Sequence, residues 1–424
     1  MRRTSLSPGG PLGLTNPLSG RFDGQGVKIV RKHVPPTLWL FVLLFVACPS
    51  AAAGQDRSLT DVLTFLMTTQ AVQTADVVRD REAAMATRDT IARSLLLELA
   101  TLPIASSSSA FTYRFDQRLG TLNRLAQSFG PFIVDRAVTA GAKHVSLGVT
   151  YRQAGYRRLD GRDLQDGTLV TTANRFRDEP QAFDIDTLAL ELAAKTVTLF
   201  GSVGIADWLD VGAAVPIVRT DLSGERVNTY RGVSLVQARA MGTATGLADI
   251  ALRTKARFFG QGLSGMAALM EVRLPTGDPE NLSGAGHSGV KAVLIGSIGR
   301  GSLDAHVNAA VVRGGVSSET HVSAAVAVAV TPQVTLSLET FVRRVNELGE
   351  IDDIVASHPL VSDVDTIRLG SVGGNVTTAT LVTGVRWNVA QTWLINANIA
   401  VPTTERGLVA DVVPTVSLEY SFAR

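Results

Sequence analysis

The sequence is poorest in cysteine: Cys48 is the only one among 424 residues, so no intrachain disulfide can form even in an oxidising compartment. Aromatic residues are only 6% of the chain, so any aromatic girdle must be sparse. Neither sign of charge prevails. The formal net charge of +2 is spread along the chain, which argues against nucleic acid as a partner. Metal, nucleotide and redox signatures are absent: there are six histidines but no His-Glu-x-x-His, no phosphate loop and no second cysteine. Gly284-Ala285-Gly286 stands in a loop context rather than between a strand and a helix, so no cofactor is expected. Nor does any apolar run beyond residue 50 approach the ~18–20 residues of a spanning helix. Yet 45% of residues are hydrophobic and the mean hydropathy is +0.20. Apolarity without a spanning helix points to strands.

What is present begins with a leader. Arg31, Lys32 and His33 precede the apolar run Leu38 to Ala47, and Ala51, Ala52 and Ala53 follow it. A basic region, a short apolar core and an Ala-x-Ala site read as a secretory signal peptide, with the mature chain starting near Gly54. Residues 1–53 are therefore expected to be a leader plus signal peptide, with a lipidated Cys48 as the alternative N-terminus. From Ser58 to Leu102 the apolar period is helical. Ser58 can cap a helix carrying Leu59, Val62, Leu63 and Leu66 on one face, and a second helix is expected over Arg79 to Ala100. Pro103 and the run Ser106 to Ser109 end it, and Phe111 to Phe115 suits a short strand. Residues 54–144 are accordingly expected to form a mostly helical N-terminal segment, either a periplasmic cap or a plug.

From Val145 the period becomes two. Leu303, Ala305, Val307, Ala309 and Val311 alternate with Asp304, His306 and Asn308; Val334, Leu336, Leu338 and Val342 alternate with Thr335, Ser337, Glu339 and Arg343. One face is greasy and the other polar, strand after strand to Tyr420 and Phe422. Short connections such as Gly299 to Gly301 and Thr331-Pro332 alternate with long ones: Arg158 to Thr187, Asp221 to Gly246 and Asn346 to Val376. This is the rhythm of a transmembrane, all-β fold: an antiparallel outer-membrane β-barrel over residues 145–424. The parity closes at about twelve strands, with fourteen the alternative count. The expected location is the bacterial outer membrane, with its lipid against the greasy face. Trp208, Trp387 and Trp393 stand beside short turns, where a periplasmic girdle belongs, and a strand ending at Phe422 suits recognition by the barrel-insertion machinery.

Three segments carry a resemblance: Val203 to Gly212 with Val215-Pro216, then Gly246-Leu247-Ala248-Asp249-Ile250, then Arg273-Leu274-Pro275-Thr276-Gly277-Asp278. In these the chain resembles an uncharacterised branch of the outer-membrane channel family named for the MetA pathway of phenol degradation, over about residues 110–422. The resemblance implies passive passage of small, often aromatic or hydrophobic, molecules, and no substrate residue.

With that register the lumen is expected to receive Arg253, Lys255, Arg257, Arg273, Asp249, Glu271, Asp304, His306, Glu339, Arg343 and Arg386, together with Arg152, Lys195, Lys291, Glu191, Asp210 and Glu419. The stripe Arg253, Lys255, Arg257 and Arg273 is equally suited to attracting anions and to internal ion pairs. A structural or adhesive barrel with no open pore is the alternative reading. An outer-membrane hydrolase built on His306, Asn308 and Asp304 is a third, but no Gly-x-Ser-x-Gly elbow accompanies them.

Overall fold

The computed structural model describes residues 57–68, 77–100, 113–116, 121–124 and 126–423. The expected leader and signal peptide, with Cys48, lie outside the described residues. Two helices come first, α1 (Leu59–Thr68) and α2 (Val77–Ala100), then a hairpin of β1 (Tyr113–Asp116) and β2 (Thr121–Arg124). The Ser58 hydroxyl accepts the Asp61 N–H (3.1 Å) and Asp61 accepts the Ser58 N–H (3.2 Å), a reciprocal cap that starts α1. Residues 126–143 form neither helix nor strand.

The rest is sheet. In chain order the strands are β3 (His144–Leu159), β4 (Arg162–Asp163), β5 (Leu169–Phe176), β6 (Ala182–Ala206), β7 (Leu209–Tyr230), β8 (Val233–Leu247), β9 (Ile250–Gln261), β10 (Ser264–Leu274) and β11 (Gly289–Arg300). They continue as β12 (Leu303–Gly314), β13 (Glu319–Thr331), β14 (Val334–Val345), β15 (Glu350–Ser357), β16 (Val364–Val372), β17 (Val376–Ala390), β18 (Trp393–Pro402), β19 (Leu408–Ala410) and β20 (Val413–Ala423). Antiparallel neighbours pair in sequence until β20 returns to β3, closing a barrel. β8 and β9 both pair with β7, on its two halves, and so form one wall strand; β19 and β20 do the same along β3. With β14 paired directly to β17, twelve strands encircle the lumen. Leu147, Leu199, Leu294, Val307, Leu338 and Val416 are exposed on the outside while Asp304, His306 and Glu339 are buried within. An apolar exterior on a closed sheet is the architecture of an outer-membrane barrel. At the end with the short turns, the Trp393 and Tyr420 rings lie 4.7 Å apart and Tyr420 and Phe422 5.5 Å apart.

The opposite, external end departs from the expected loops. Asp221 to Gly246, expected as a loop, is the paired continuation of β7 and β8. Asn346 to Val376 forms the hairpin of β15 and β16, and β16 joins β5, which lies within the expected loop Arg158 to Thr187. At 25 and 22 residues, β6 and β7 far exceed the ~9–11 residues that cross a bilayer. Above the bilayer the outside face meets water, so its apolar alternation stops and the segment reads as loop although its backbone remains paired.

The same change inverts the wall. On β6 the inward residues are Thr196, Thr198 and Ser202 low on the strand but Leu188, Leu190 and Leu192 higher up. Glu191 and Lys195, expected in the lumen, lie on the outer face instead, and the Ser223 hydroxyl donates to Glu191 there (3.3 Å). The reason is inside: α1 and α2 occupy the external half of the barrel. Leu59, Val62, Leu63 and Leu66 of α1, with Ile91 and Leu95 of α2, share one core with Leu188, Leu190, Leu222, Tyr156 and Leu369.

Candidate functional site

Among the described residues, buried charge collects in the lumen, and its lower half is filled by residues 126–143. This irregular segment has no ladder partner, so its backbone groups must be satisfied by side chains. The wall supplies them. Glu339 accepts three successive backbone N–H groups, from Phe132 (2.5 Å), Ile133 (2.7 Å) and Val134 (2.9 Å). Asp210 accepts the Ala140 N–H (3.0 Å) and pairs with Lys255 (3.6 Å), whose ammonium donates to the carbonyls of Val138 (2.7 Å) and Arg136 (3.3 Å). Arg386 donates to the Phe129 carbonyl (2.8 Å) and lies over the Phe132 ring. Thr335 accepts the Phe129 N–H (2.9 Å), and the Ser128 hydroxyl donates to Asp304. In the orientation that satisfies both ends of its amide, Asn308 accepts the Asp135 N–H (2.8 Å) and donates to the Asp135 carbonyl (3.1 Å).

His306 belongs to the same set. Its Nδ1 lies 2.8 Å from the Ser297 hydroxyl, which also accepts the Ala137 N–H (2.8 Å). A serine and a histidine in contact are what a hydrolase would need, but here the serine oxygen is committed to the segment's backbone beneath the seal. The geometry is that of an anchor.

The remaining residues sort into four groups. Arg253 and Arg273 both bind Glu271 (2.6 and 2.8 Å), an ion triad across β9 and β10. Arg343 binds Glu98 near the end of α2 (2.6 Å) and donates to the Leu97 carbonyl (3.2 Å), and Arg152 approaches the same carboxylate from β3 (3.8 Å). Arg257 donates to the carbonyls of Gly262 and Ser264 (3.0 Å each) and so closes a short turn rather than lining a path. Asp249 accepts the N–H groups of Gly277 (3.0 Å) and Ala285 (2.9 Å), while Thr276 donates to the Ala248 carbonyl (2.8 Å) and accepts the Ile250 N–H (3.0 Å).

That last knot explains two of the sequence motifs at once. Gly246 to Ile250 and Arg273 to Asp278 are 28 residues apart at Asp249–Gly277, yet they interlock where β8 passes into β9. The motif around Asp207 and Asp210 meets the seal instead. Asp207 accepts the Ala142 N–H (3.1 Å), the Gly204 carbonyl accepts the Lys143 N–H (2.8 Å), and a Cβ on Gly204 would strike the Gly141 carbonyl.

Above residues 126–143, among the described residues, a cavity of about 170 Å³ runs from Ile133 and Asp135 up to His287, Val316 and Arg406 in the external loops. Among the described residues no three His, Cys, Asp or Glu side chains converge as a metal site would require. Outside the bilayer, Asp352 titrates below the ordinary aspartate range because the Asp353 N–H and the Arg162 guanidinium both favour its charged form.

No family model matches the chain, and no curated protein does. Solved structures do. An outer-membrane channel from Pseudomonas putida F1 aligns over 68% of this chain and 98% of its own, at 11% identity and a TM-score of 0.46. The KdgM porin bound to disordered oligogalacturonate covers 65% of this chain and 99% of its own, at 8% identity and a TM-score of 0.34. The CymD monoaromatic hydrocarbon channel covers 67% and 90%, at 8% identity and a TM-score of 0.27. The barrel described here rests on its own strand closure.

Proposed function

We propose that the protein is a bacterial outer-membrane channel for small molecules, held shut by its own N-terminal segment. The observation that carries this reading is the pairing of an external cavity of about 170 Å³ with a floor made of residues 126–143. The floor is attached by hydrogen bonds with Glu339, Asp210, Lys255 and Arg386, contacts that can exchange for water. The large number of these anchors equally suits a structural barrel that never opens, which is the competing reading.

The test is conductance in a planar bilayer. The mature chain from Gly54 is expected to be silent, and a version starting at Lys143 to conduct steadily. Silence in both, with a closed barrel verified by heat-modifiable gel mobility, would exclude a pore and leave the structural reading. The final strand, with Tyr420 and Phe422 packed together, is the segment through which we propose the insertion machinery takes the chain.

A further inference from the structure

The outer wall carries charge that the lumen does not explain. On the wall strands β10 to β14 and β17 every carboxylate points inward: Glu271, Asp304, Glu319 and Glu339 are all buried in the lumen. The outward positions of these strands carry a charge only at Arg300, Arg313 and Arg344. Arg300 stands at the end with the short turns. Arg313 and Arg344 stand at the external end, where β12 and β14 leave the apolar band. Register sets their spacing: Arg344 lies opposite Thr320 of β13, and Thr320 opposite Val311, the outward residue just before Arg313 on β12. Two strand spacings across and two residues along put the two Cα atoms about 12 Å apart, so both side chains can reach one small anion, with the exposed Thr320 between them.

Neither guanidinium meets a carboxylate. Arg313 donates to the Val312 carbonyl of its own strand (3.0 Å). The loop acids Asp278, Glu280 and Glu347 form no ion pair with either arginine among the described residues, and Glu350 is taken by Arg406. The tall side of the barrel differs: there the outward Arg219 and Arg239 pair with Asp221 (3.2 Å) and Glu225 (2.6 Å). That wall stands in water and supplies its own counter-charge, whereas β12 to β14 supply none. Directly beneath the two arginines lie Val311, Val322 and Val342, exposed by 45%, 56% and 39% at the upper edge of the band that faces acyl chains. Two cations and a hydroxyl over an apolar strip match an amphiphile with an anion at its head. Arginine forks favour phosphate oxygens, and a soluble anion would leave the strip unused.

We propose that the outer wall at β12 to β14 binds the phosphate of an outer-leaflet lipid between Arg313 and Arg344, with Thr320 as a third donor and the acyl chains along Val311, Val322 and Val342. The site is on the outside of the barrel, so it holds whether or not the lumen conducts.

The experiment is native mass spectrometry of the refolded mature chain in detergent with dipalmitoyl phosphatidic acid and with dipalmitoylglycerol, which lacks the phosphate. Phosphatidic acid is expected to bind at least about tenfold tighter, the combined effect of two cations at a lipid surface. The double variant Arg313→Gln/Arg344→Gln is expected to abolish that preference, while Arg300→Gln, at the opposite end of the same wall, keeps it. Equal binding of the two lipids, or a preference that survives the double variant, overturns the proposal. So does displacement of phosphatidic acid by an equimolar amount of inorganic phosphate, which would make this a site for the free ion. Should the double variant not close into a barrel, each single variant is measured, and an unchanged preference in either overturns the proposal.

Discussion

The N-terminal segment is held inside the barrel in two different ways. In the external half, α1 and α2 are fixed by apolar packing against Leu188, Leu190, Leu222 and Leu369. In the lower half, residues 126–143 are fixed by directed bonds from Glu339, Asp210, Lys255, Arg386 and Ser297. Helices satisfy their own backbone, so the wall around them is free to be greasy. An irregular segment cannot, so the wall around it must be polar. Polar anchors in the external half include the helix ends, where internal partners run out: the Glu280 carbonyl accepts the Thr60 N–H (3.0 Å), and Arg226 donates to the Met67 carbonyl (2.8 Å). Packing resists removal without fixing a register, whereas directed bonds fix the register and can be traded for water.

The sharpest way to break this comparison is at Lys255. Lys255→Met leaves Asp210 buried without its cation and strips two carbonyls of their donor, a loss of about 3–5 kcal/mol. We expect the lower segment to detach while α1 stays seated, seen as thiol labelling of a cysteine placed at Val138 but not of one placed at Val62. Labelling of both would mean that the two halves are one cooperative unit.

Leu66→Ala attacks the other half. A fully buried leucine lost from a packed core costs about 2–5 kcal/mol. The two labels should now exchange roles, and the double variant should be additive if the halves are independent. A smaller effect is expected at Gly242, where an added Cβ would meet Leu59 at 3.0 Å and Val62 at 3.1 Å. Gly242→Ala should loosen α1 by about 1–3 kcal/mol through overpacking, with the lower seal intact in the same labelling assay.

The smallest effect is expected at the external rim. Asp352 is held below its ordinary range, so its contribution is present above the unfolded aspartate value and disappears as pH falls through the lower folded value. Because Asp352 itself is largely exposed, Arg162→Ala should lower the unfolding midpoint at neutral pH only slightly, and a large drop would show that the external hairpin holds the helices in place.

Much of the barrel was legible because lipid outside and polar groups inside impose a strict period of two, as Leu303 to Val311 and Val334 to Arg343 display. The site was legible only as a set of inward charges. Glu339 and Lys255 could be placed on a face, but their partners are backbone groups of residues 126–143, about 200 and 120 positions away, and a backbone group leaves no mark in the sequence. Asp210 falls on the inward face by alternation, and Asp207 could have been suspected beside it from its position at a short turn, since turn carboxylates seek N–H donors.

What the sequence determined by itself is the closed antiparallel sheet, its twelve strands, its girdle beside the short turns and the helical period of α1, all consequences of local alternation and capping. Only the tertiary structure decided that the inward face of β6 packs against helices above Lys195, and that Ser297 and His306 serve an anchor. These depend on what fills the lumen at each height, and that is set by residues far away along the chain.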